Sequence, residues 1–341
     1  MKIKNNLISL NPYRVEETFA GIRLDANETN NFVFPDGIAI NDISFHRYPD
    51  HQAILLRKAL SEYLGVEKKY LVEGNGSSEL IELIIKTYVE KDGTIMSFEP
   101  TFSMYGIYAT IYGANYKTFP LNDDYTLDVA AFIQHIQWMK PSVVFLCTPN
   151  NPTGRQLKKE EIINVIRSTK ALVVIDEAYI EFADMNESLT KDIIKYDNTC
   201  VLRTFSKAFG LASIRLGYMI ANEKIIDDIN RVKSPYHVNQ VSQFIGTLAL
   251  SHRDKVNTMV QQIITSRDEL YQALLSLPLI VYPSQGNFLF IQSPKVDIYP
   301  PLLAKGIRIR AYKIPFQSYR ITIGTNEENV ALLRALKEIF I

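Results

Sequence analysis

Short, continuous apolar segments that alternate with helical patterns constrain the fold of this chain most strongly. SVVFLC (142–147) is such a run, and further strands are predicted at ALVVID (171–176) and TCVLRT (199–204); a helical pattern over 158–169 separates the first two. A strand that is apolar along its whole length is typical of a parallel sheet covered on both faces. The alternation therefore predicts an α/β fold with a mostly parallel sheet.

The pattern changes after about residue 240, which predicts a second, smaller α+β domain. Before this point we expect further helices over 77–90 and 100–113 and further strands over 94–98, 115–119 and 216–220. After it we expect one long helical stretch over 239–276, then short strands at 279–282, 288–291, 307–310 and 319–323. A capping box from Thr325 to Glu328 predicts a final helix. We expect a large domain over 30–245 and a small domain formed by 1–29, largely irregular, and 246–341.

Composition favours a small-molecule ligand. The chain has 37 Lys and Arg and 37 Asp and Glu, so its net charge is zero. It therefore lacks the broad basic field expected of proteins that bind nucleic acid or anionic membranes. No apolar run approaches the roughly 20 residues of a membrane span, and no signal peptide is recognisable at the N-terminus. The two cysteines, Cys147 and Cys200, are expected to be buried free thiols of a cytoplasmic protein. We predict no metal site.

Lys207 and Asp176 are the candidate reactive pair. Asp176 ends one predicted strand and Lys207 follows another, both at the end where open α/β sheets bind their ligands. The apolar neighbours of Lys207 would desolvate its amine, which disfavours the ammonium form and favours nucleophilic attack. A lysine that forms a Schiff base, together with an acidic partner for a pyridine nitrogen, is the signature of pyridoxal 5′-phosphate enzymes. Taken singly, these residues could instead be a surface lysine and a helix cap.

Four further features fit the same cofactor. Asn151 in CTPNNPTG (147–154) could donate to the phenolic oxygen, although N-P-T-G alone would also explain a turn. In GNGSSEL (74–80), Ser77, Ser78 and the backbone amides could hold a phosphate at a helix N-terminus, or merely cap the helix. Arg215 could reach the same phosphate, and Phe102 could stack on the ring unless it belongs to the core.

These motifs resemble the fold-type I aminotransferases that bind pyridoxal phosphate, and within their class II subfamily most closely the histidinol-phosphate aminotransferases. The resemblance runs along nearly the whole chain. It includes LNPYRVEE, LDANE, RYPD, GNGSSELIELI, PTFSMY, TPNNPTG, DEAYIEF, RTFSKAFGLASIRLG, SPYHVNQVSQ and YRITIGTNEEN. Where the family commonly has an acidic residue in the phosphate loop, this chain has Ser77-Ser78-Glu79, and serine can still donate to phosphate. The segment between Arg310 and Arg320 is short.

The resemblance implies a role for each matching residue. Lys207 would hold the cofactor and transfer protons, Asp176 would pair with the pyridine nitrogen, and Tyr179 would join Asn151 at the phenolic oxygen. The phosphate would be held by Ser206, Arg215 and the Ser77–Ser78 backbone, and by Tyr48 of a partner subunit, so a homodimer is implied. The substrate would contact Arg310 and Arg320, with Tyr13 and Asn27 near its entrance.

The implied reaction is amino transfer from L-histidinol phosphate to 2-oxoglutarate, which gives imidazole acetol phosphate and L-glutamate in histidine biosynthesis. Two alternatives keep the cofactor. One is decarboxylation, as in threonine-phosphate decarboxylase, which releases carbon dioxide without a keto acid. The other is an aromatic amino-acid aminotransferase. A regulator that binds pyridoxal phosphate without catalysis is a fourth hypothesis, but no DNA-binding segment or second module accompanies it in the sequence.

Overall fold

The computed structural model describes residues 3–8, 10, 19–29, 34, 37, 43–312 and 317–340. The strands within these residues are β1 (Ile22–Leu24), β2 (Leu71–Gly74), β3 (Thr94–Glu99), β4 (Asn115–Pro120), β5 (Val143–Cys147), β6 (Leu172–Asp176), β7 (Thr199–Thr204), β8 (Gly217–Ala221), β9 (Ile280–Tyr282), β10 (Phe288–Gln292), β11 (Ile307–Tyr312) and β12 (Ser318–Thr322). The α-helices are α1 (Ile54–Leu64), α2 (Gly76–Tyr88), α3 (Met104–Tyr112), α4 (Val129–Met139), α5 (Lys159–Ser168), α6 (Glu223–Val232), α7 (Gln240–Ser251), α8 (Arg253–Leu274), α9 (Tyr299–Ala304) and α10 (Asn326–Ile339).

The larger sheet is the mostly parallel sheet that the apolar strands predict. Its strand order is β2-β8-β7-β6-β5-β3-β4. Strands β3 to β7 pair in parallel, whereas β8 is antiparallel to both of its neighbours. Every residue of β5, β6 and β7 is buried, because helices cover both faces. Cys147 and Asp176 are register partners at the carboxyl ends of β5 and β6, and the cleft opens at this edge.

The second sheet has the order β1-β11-β12-β10-β9 and contains the four C-terminal strands that the sequence predicts. Strand β1 pairs in parallel with β11, and the other pairs are antiparallel. The N-terminal segment, expected to be largely irregular, thus contributes a short strand to this sheet. The antiparallel register places Arg310 directly opposite Arg320.

Helix boundaries differ from the sequence prediction in two places. The predicted helix over 239–276 is two helices, α7 and α8, because the chain leaves helical geometry at His252, whose backbone amide donates to the Ala249 carbonyl. The predicted helix over 100–113 begins only at Met104. The Thr101 hydroxyl donates to Asn150 Oδ1 at 2.7 Å, which ties the preceding turn to the loop after β5.

Other sequence expectations are confirmed. Thr325 and Glu328 form the capping box of α10, and both cysteines are buried and free. Among the described residues, no helix combines the length and apolar character needed to cross a membrane.

Candidate active site

Lys207 lies in the turn after β7, at the carboxyl edge of the larger sheet. Its Nζ donates to the backbone carbonyls of Ala26 and Asn27, at 3.0 and 3.1 Å. Burial, reinforced by the nearby charge of Arg320, lowers the pKa of Lys207 to about 7. A large fraction of the amine is therefore neutral and nucleophilic at neutral pH, as the apolar neighbours in the sequence predict.

Asp176 ends β6 and lies almost entirely out of contact with solvent. Its carboxylate accepts hydrogen bonds from the Tyr105 hydroxyl at 2.7 Å and from the Ala178 amide at 3.2 Å. Burial raises the pKa of Asp176 to about 6, and these two hydrogen bonds oppose the rise. A cationic ring nitrogen beside this carboxylate would favour its ionised form further.

Asn151 and Tyr179 are each held by a second residue. Arg320 Nη1 donates to Asn151 Oδ1 at 2.6 Å, which leaves the Asn151 amide nitrogen available as a donor. The Tyr179 hydroxyl accepts from Asn27 Nδ2 at 3.0 Å, so its own proton is available for donation. Asn151 and Tyr179 therefore meet the requirement for binding a phenolic oxygen.

The N-terminus of α2 and Arg215 form a phosphate-sized group of donors. Ser77, Ser78 and Ser206 line the same cavity as Arg215, whose Nη1 donates to Ser206 Oγ at 3.2 Å. Gly76 has φ +73°, and a Cβ there would lie 2.6 Å from Arg215 Nη2, so glycine is needed for this close approach. Serine hydroxyls, helix N-terminal amides and a guanidinium are the donors that bind a phosphate.

These groups surround one cavity of about 340 Å³. The sequence-predicted residues that line it are Ser77, Ser78, Phe102, Asn151, Asp176, Tyr179, Ser206, Lys207, Arg215, Arg310 and Arg320. Phe102 is half-buried there and meets Tyr105 edge-on, with ring centroids 5.6 Å apart. The donors and the acceptor match the phosphate, phenolic oxygen and ring nitrogen of pyridoxal phosphate, so the residues present fit this cofactor.

Arg310 and Arg320 both face the cavity from neighbouring strands of the smaller sheet. Arg320 is buried, and besides Asn151 it holds the Asp25 carbonyl at 2.6 Å. Its Nε has no hydrogen-bond partner among the described residues. Arg310 is half-exposed, and its side chain forms no hydrogen bond or ion pair within that part of the chain. Together they offer donors to an anionic ligand in the cavity.

Two other predicted residues, Asn27 and Tyr48, do not line this cavity. Asn27 was expected near the substrate entrance, but it is fully buried, because Tyr179, Thr322 and Lys207 occupy its polar groups. Tyr48 is 80% exposed and stacks on Tyr236 outside the cavity, at a centroid distance of 4.7 Å. Tyr13 lies outside the described residues.

Sequence reasoning missed Tyr105, which contacts Asp176, and the Ala26 and Asn27 carbonyls, which hold the lysine. The spacing in PTFSMY could have indicated Tyr105, since it stands one helical turn after Phe102. The Ala26 and Asn27 carbonyls lie about 180 positions away from Lys207 in the chain, and no sequence pattern relates positions so far apart.

The fold and the site define a fold-type I, pyridoxal-phosphate-dependent enzyme. The family model "Aminotransferase class I and II" matches residues 21–336, nearly the full chain. The chain therefore belongs to the class I and II aminotransferase family, and it is a pyridoxal-phosphate-dependent aminotransferase.

Relatives agree with this assignment over their whole length. The histidinol-phosphate aminotransferase of Clostridium kluyveri is 38% identical, with 98% of each chain covered. That of Pyrococcus furiosus is 37% identical and covers 98% of this chain and 97% of its own. The crystal structure of histidinol-phosphate aminotransferase from Sinorhizobium meliloti in complex with pyridoxal-5′-phosphate has a TM-score of 0.90 at 23% identity. It covers 99% of this chain and 97% of its own, and it shows the shared fold.

Proposed function

We propose that this enzyme is a histidinol-phosphate aminotransferase of histidine biosynthesis. It transfers the amino group of L-histidinol phosphate to 2-oxoglutarate, giving imidazole acetol phosphate and L-glutamate. The proposal is carried by Arg310 and Arg320, which face one cavity with Lys207. Histidinol phosphate has no carboxylate, so its phosphate is the anion that two guanidinium groups would bind. The names of the full-length relatives support the same substrate.

When bound, pyridoxal phosphate supplies an aldehyde carbon that bonds to amines and a ring that takes up electrons. Asp176 would pair with the ring nitrogen, and Asn151 and Tyr179 would donate to the phenolic oxygen. The neutral Lys207 amine would act as the general base that accepts the proton of the substrate carbon, becoming an ammonium group that can return it. The Ala26 and Asn27 carbonyls keep that amine close to the cavity, at the distances described above.

Substrate comparison tests this proposal. Purified enzyme is assayed for glutamate formation from 2-oxoglutarate with histidinol phosphate, histidinol or phenylalanine, and for carbon dioxide release from threonine phosphate. We expect kcat/KM for histidinol phosphate to exceed that for histidinol by about tenfold or more, since charge-assisted contacts contribute about 1.5–3 kcal/mol each. Carbon dioxide release without a keto acid would support a decarboxylase instead, and a preference for phenylalanine would support an aromatic aminotransferase.

The enzyme acts as a homodimer in this proposal, with Tyr48 binding the cofactor phosphate of the partner subunit. The support is that Tyr48 lies outside the cavity of its own chain, within a segment that also exposes Phe45, Ile54 and Leu55. Exposed apolar side chains that are close together are typical of interfaces between proteins.

Hybrid dimers test this arrangement. A Lys207→Ala subunit mixed with a Tyr48→Ala subunit should form hybrids with one site near wild type, because both defects then fall in the same site. Tyr236→Ala is the comparison variant, because it removes the ring that stacks on Tyr48 but keeps Tyr48 itself. Proven hybrids without recovered activity would contradict a contribution of Tyr48 across the interface.

A domain division at 30–245 against 1–29 plus 246–341 and a cytoplasmic location also belong to this proposal. The two separate sheets support the division, and the two free cysteines support a reducing compartment. Limited proteolysis and cell fractionation would test them.

A further inference from the structure

Tyr105 is a fully buried tyrosine of α3, and its hydroxyl contacts Asp176, the residue proposed to pair with the ring nitrogen of the cofactor. Its hydroxyl donates to Asp176 Oδ2 at 2.7 Å. Its ring stacks on Phe145, with centroids 4.4 Å apart and planes 9° apart, and it meets Phe102 edge-on. Packing on two sides fixes the ring, so the hydroxyl is held at Asp176.

Among the described residues, Tyr105 is the only one whose side chain donates a hydrogen bond to the Asp176 carboxylate. The thiol of Cys147 on β5 and the hydroxyl of Tyr179 are buried close by, and both are neutral groups. Glu177 is paired with Arg203 through a hydrogen bond of 2.8 Å. The Ala178 amide is the remaining donor, at the longer distance of 3.2 Å.

A hydrogen bond to a carboxylate stabilises its charged form and so makes the group less basic. Asp176 and the ring nitrogen compete for one proton, and only the protonated nitrogen withdraws electrons from the reacting carbon. A less basic Asp176 leaves that proton on nitrogen. A more basic Asp176 would take it, with the N–H bond broken and an O–H bond formed.

We propose that Tyr105 is a positioning residue that keeps the shared proton on the ring nitrogen of bound pyridoxal phosphate by making Asp176 a weaker base. The inference rests on the aminotransferase reaction but is independent of which amine is the substrate. The role of Tyr105 can therefore be refuted while histidinol phosphate remains the substrate. Equally, the substrate can be refuted while the role of Tyr105 remains.

The test compares Tyr105→Phe with Tyr112→Phe. Tyr112 lies on the same helix and donates to Glu82 at 2.9 Å, outside the cavity, so it controls for the loss of a helical hydroxyl. Apoenzyme is titrated with pyridoxal phosphate and with its 1-deaza analogue, in which carbon replaces the ring nitrogen. We expect Tyr105→Phe to weaken binding of pyridoxal phosphate by about tenfold or more. Binding of the analogue should change less than about twofold, as should both affinities of Tyr112→Phe.

A spectroscopic measurement follows the proton itself. With ¹⁵N-labelled pyridoxal phosphate, the ring-nitrogen signal of Tyr105→Phe should move toward the unprotonated position, while that of Tyr112→Phe should match wild type. Turnover should fall through kcat, with KM nearly unchanged. Equal weakening of both ligands together with an unmoved ¹⁵N signal would overturn the proposal, since a purely structural role predicts that result.

A second variant keeps the test decisive if Tyr105→Phe does not fold. Replacement of Tyr105 by 3-fluorotyrosine gives a more acidic phenol and hence a stronger donor. The ¹⁵N signal should then move further toward the protonated position. Movement in the opposite direction would contradict the proposed role.

Discussion

Arg310→Ala should separate recognition of the substrate from binding of the cofactor. The side chain of Arg310 faces the cavity but forms no hydrogen bond or ion pair with the described part of the chain. Arg320, its register partner, also holds Asn151. Loss of Arg310 therefore removes only a donor to the substrate, whereas loss of Arg320 also frees the amide that binds the cofactor.

The expected magnitude follows from the type of contact. A hydrogen bond between charged groups contributes about 1.5–3 kcal/mol, which is about one to two decades in kcat/KM. We expect Arg310→Ala to lower kcat/KM for histidinol phosphate by that factor and to leave kcat/KM for histidinol within about twofold. Arg320→Ala should lower both values, because histidinol also requires a correctly held cofactor. The assay measures initial rates of glutamate formation over a series of substrate concentrations.

Arg334→Ala, at an exposed position of α10, is the matched control for loss of a positive charge and should leave both values unchanged. Equal losses for histidinol and its phosphate in Arg310→Ala would refute a role for Arg310 in binding the phosphate. Equal kcat/KM for the two compounds in the unmodified enzyme would refute the proposed substrate as well, and would leave the cofactor assignment intact.

Three further predictions concern the reactive pair. Lys207→Ala should abolish turnover and the visible absorbance of the lysine-bound cofactor, and borohydride labelling of wild type should mark Lys207 alone. Because the pKa of Lys207 is lowered to about 7, its amine is protonated below that pH and neutral above it. The rate at which apoenzyme captures pyridoxal phosphate should therefore rise with pH and level off above about 7. A rate that kept rising to pH 10 would contradict the lowered value. Asp176→Asn should fold, as its melting curve would show, but should lose several orders of magnitude in single-turnover rate, because a neutral amide stabilises a protonated ring nitrogen poorly.

The strands and the residues that line the cavity from their ends were largely predictable, because each is indicated by a short, continuous stretch of sequence. An apolar run such as 142–147 has few alternatives to a buried strand, and the larger sheet contains it as β5. Asp176 ends one such strand and Lys207 lies in the turn after another, and strand direction alone brings both to one edge of the sheet. The single helix predicted over 239–276 is interrupted at His252. This position has neither proline nor glycine, so no residue type in the sequence indicated the break.

The partners of these residues were not predictable, since they are brought close only by the folded chain. Tyr105 and Asp176 are 71 positions apart, and Arg320 and Asn151 are 169 apart. No periodicity relates such distant positions. The resemblance to aminotransferases assigns Arg320 to the substrate and Asn151 to the phenolic oxygen of the cofactor, but only the structure shows that Arg320 Nη1 donates to Asn151.

Asn27 shows why a residue expected near the entrance is instead fully buried beside Lys207. Its backbone has φ +51°, a left-handed conformation that asparagine tolerates better than most residues. This conformation lets its amide donate to Thr322 of the smaller sheet while its side chain donates to Tyr179, in the turn after β6. Its carbonyl meanwhile accepts from Lys207. One residue thus connects the smaller sheet, which carries Arg310 and Arg320, to both Tyr179 and Lys207. In the proposed enzyme, a change in the docking of the smaller sheet would therefore also alter the environment of the Lys207 amine.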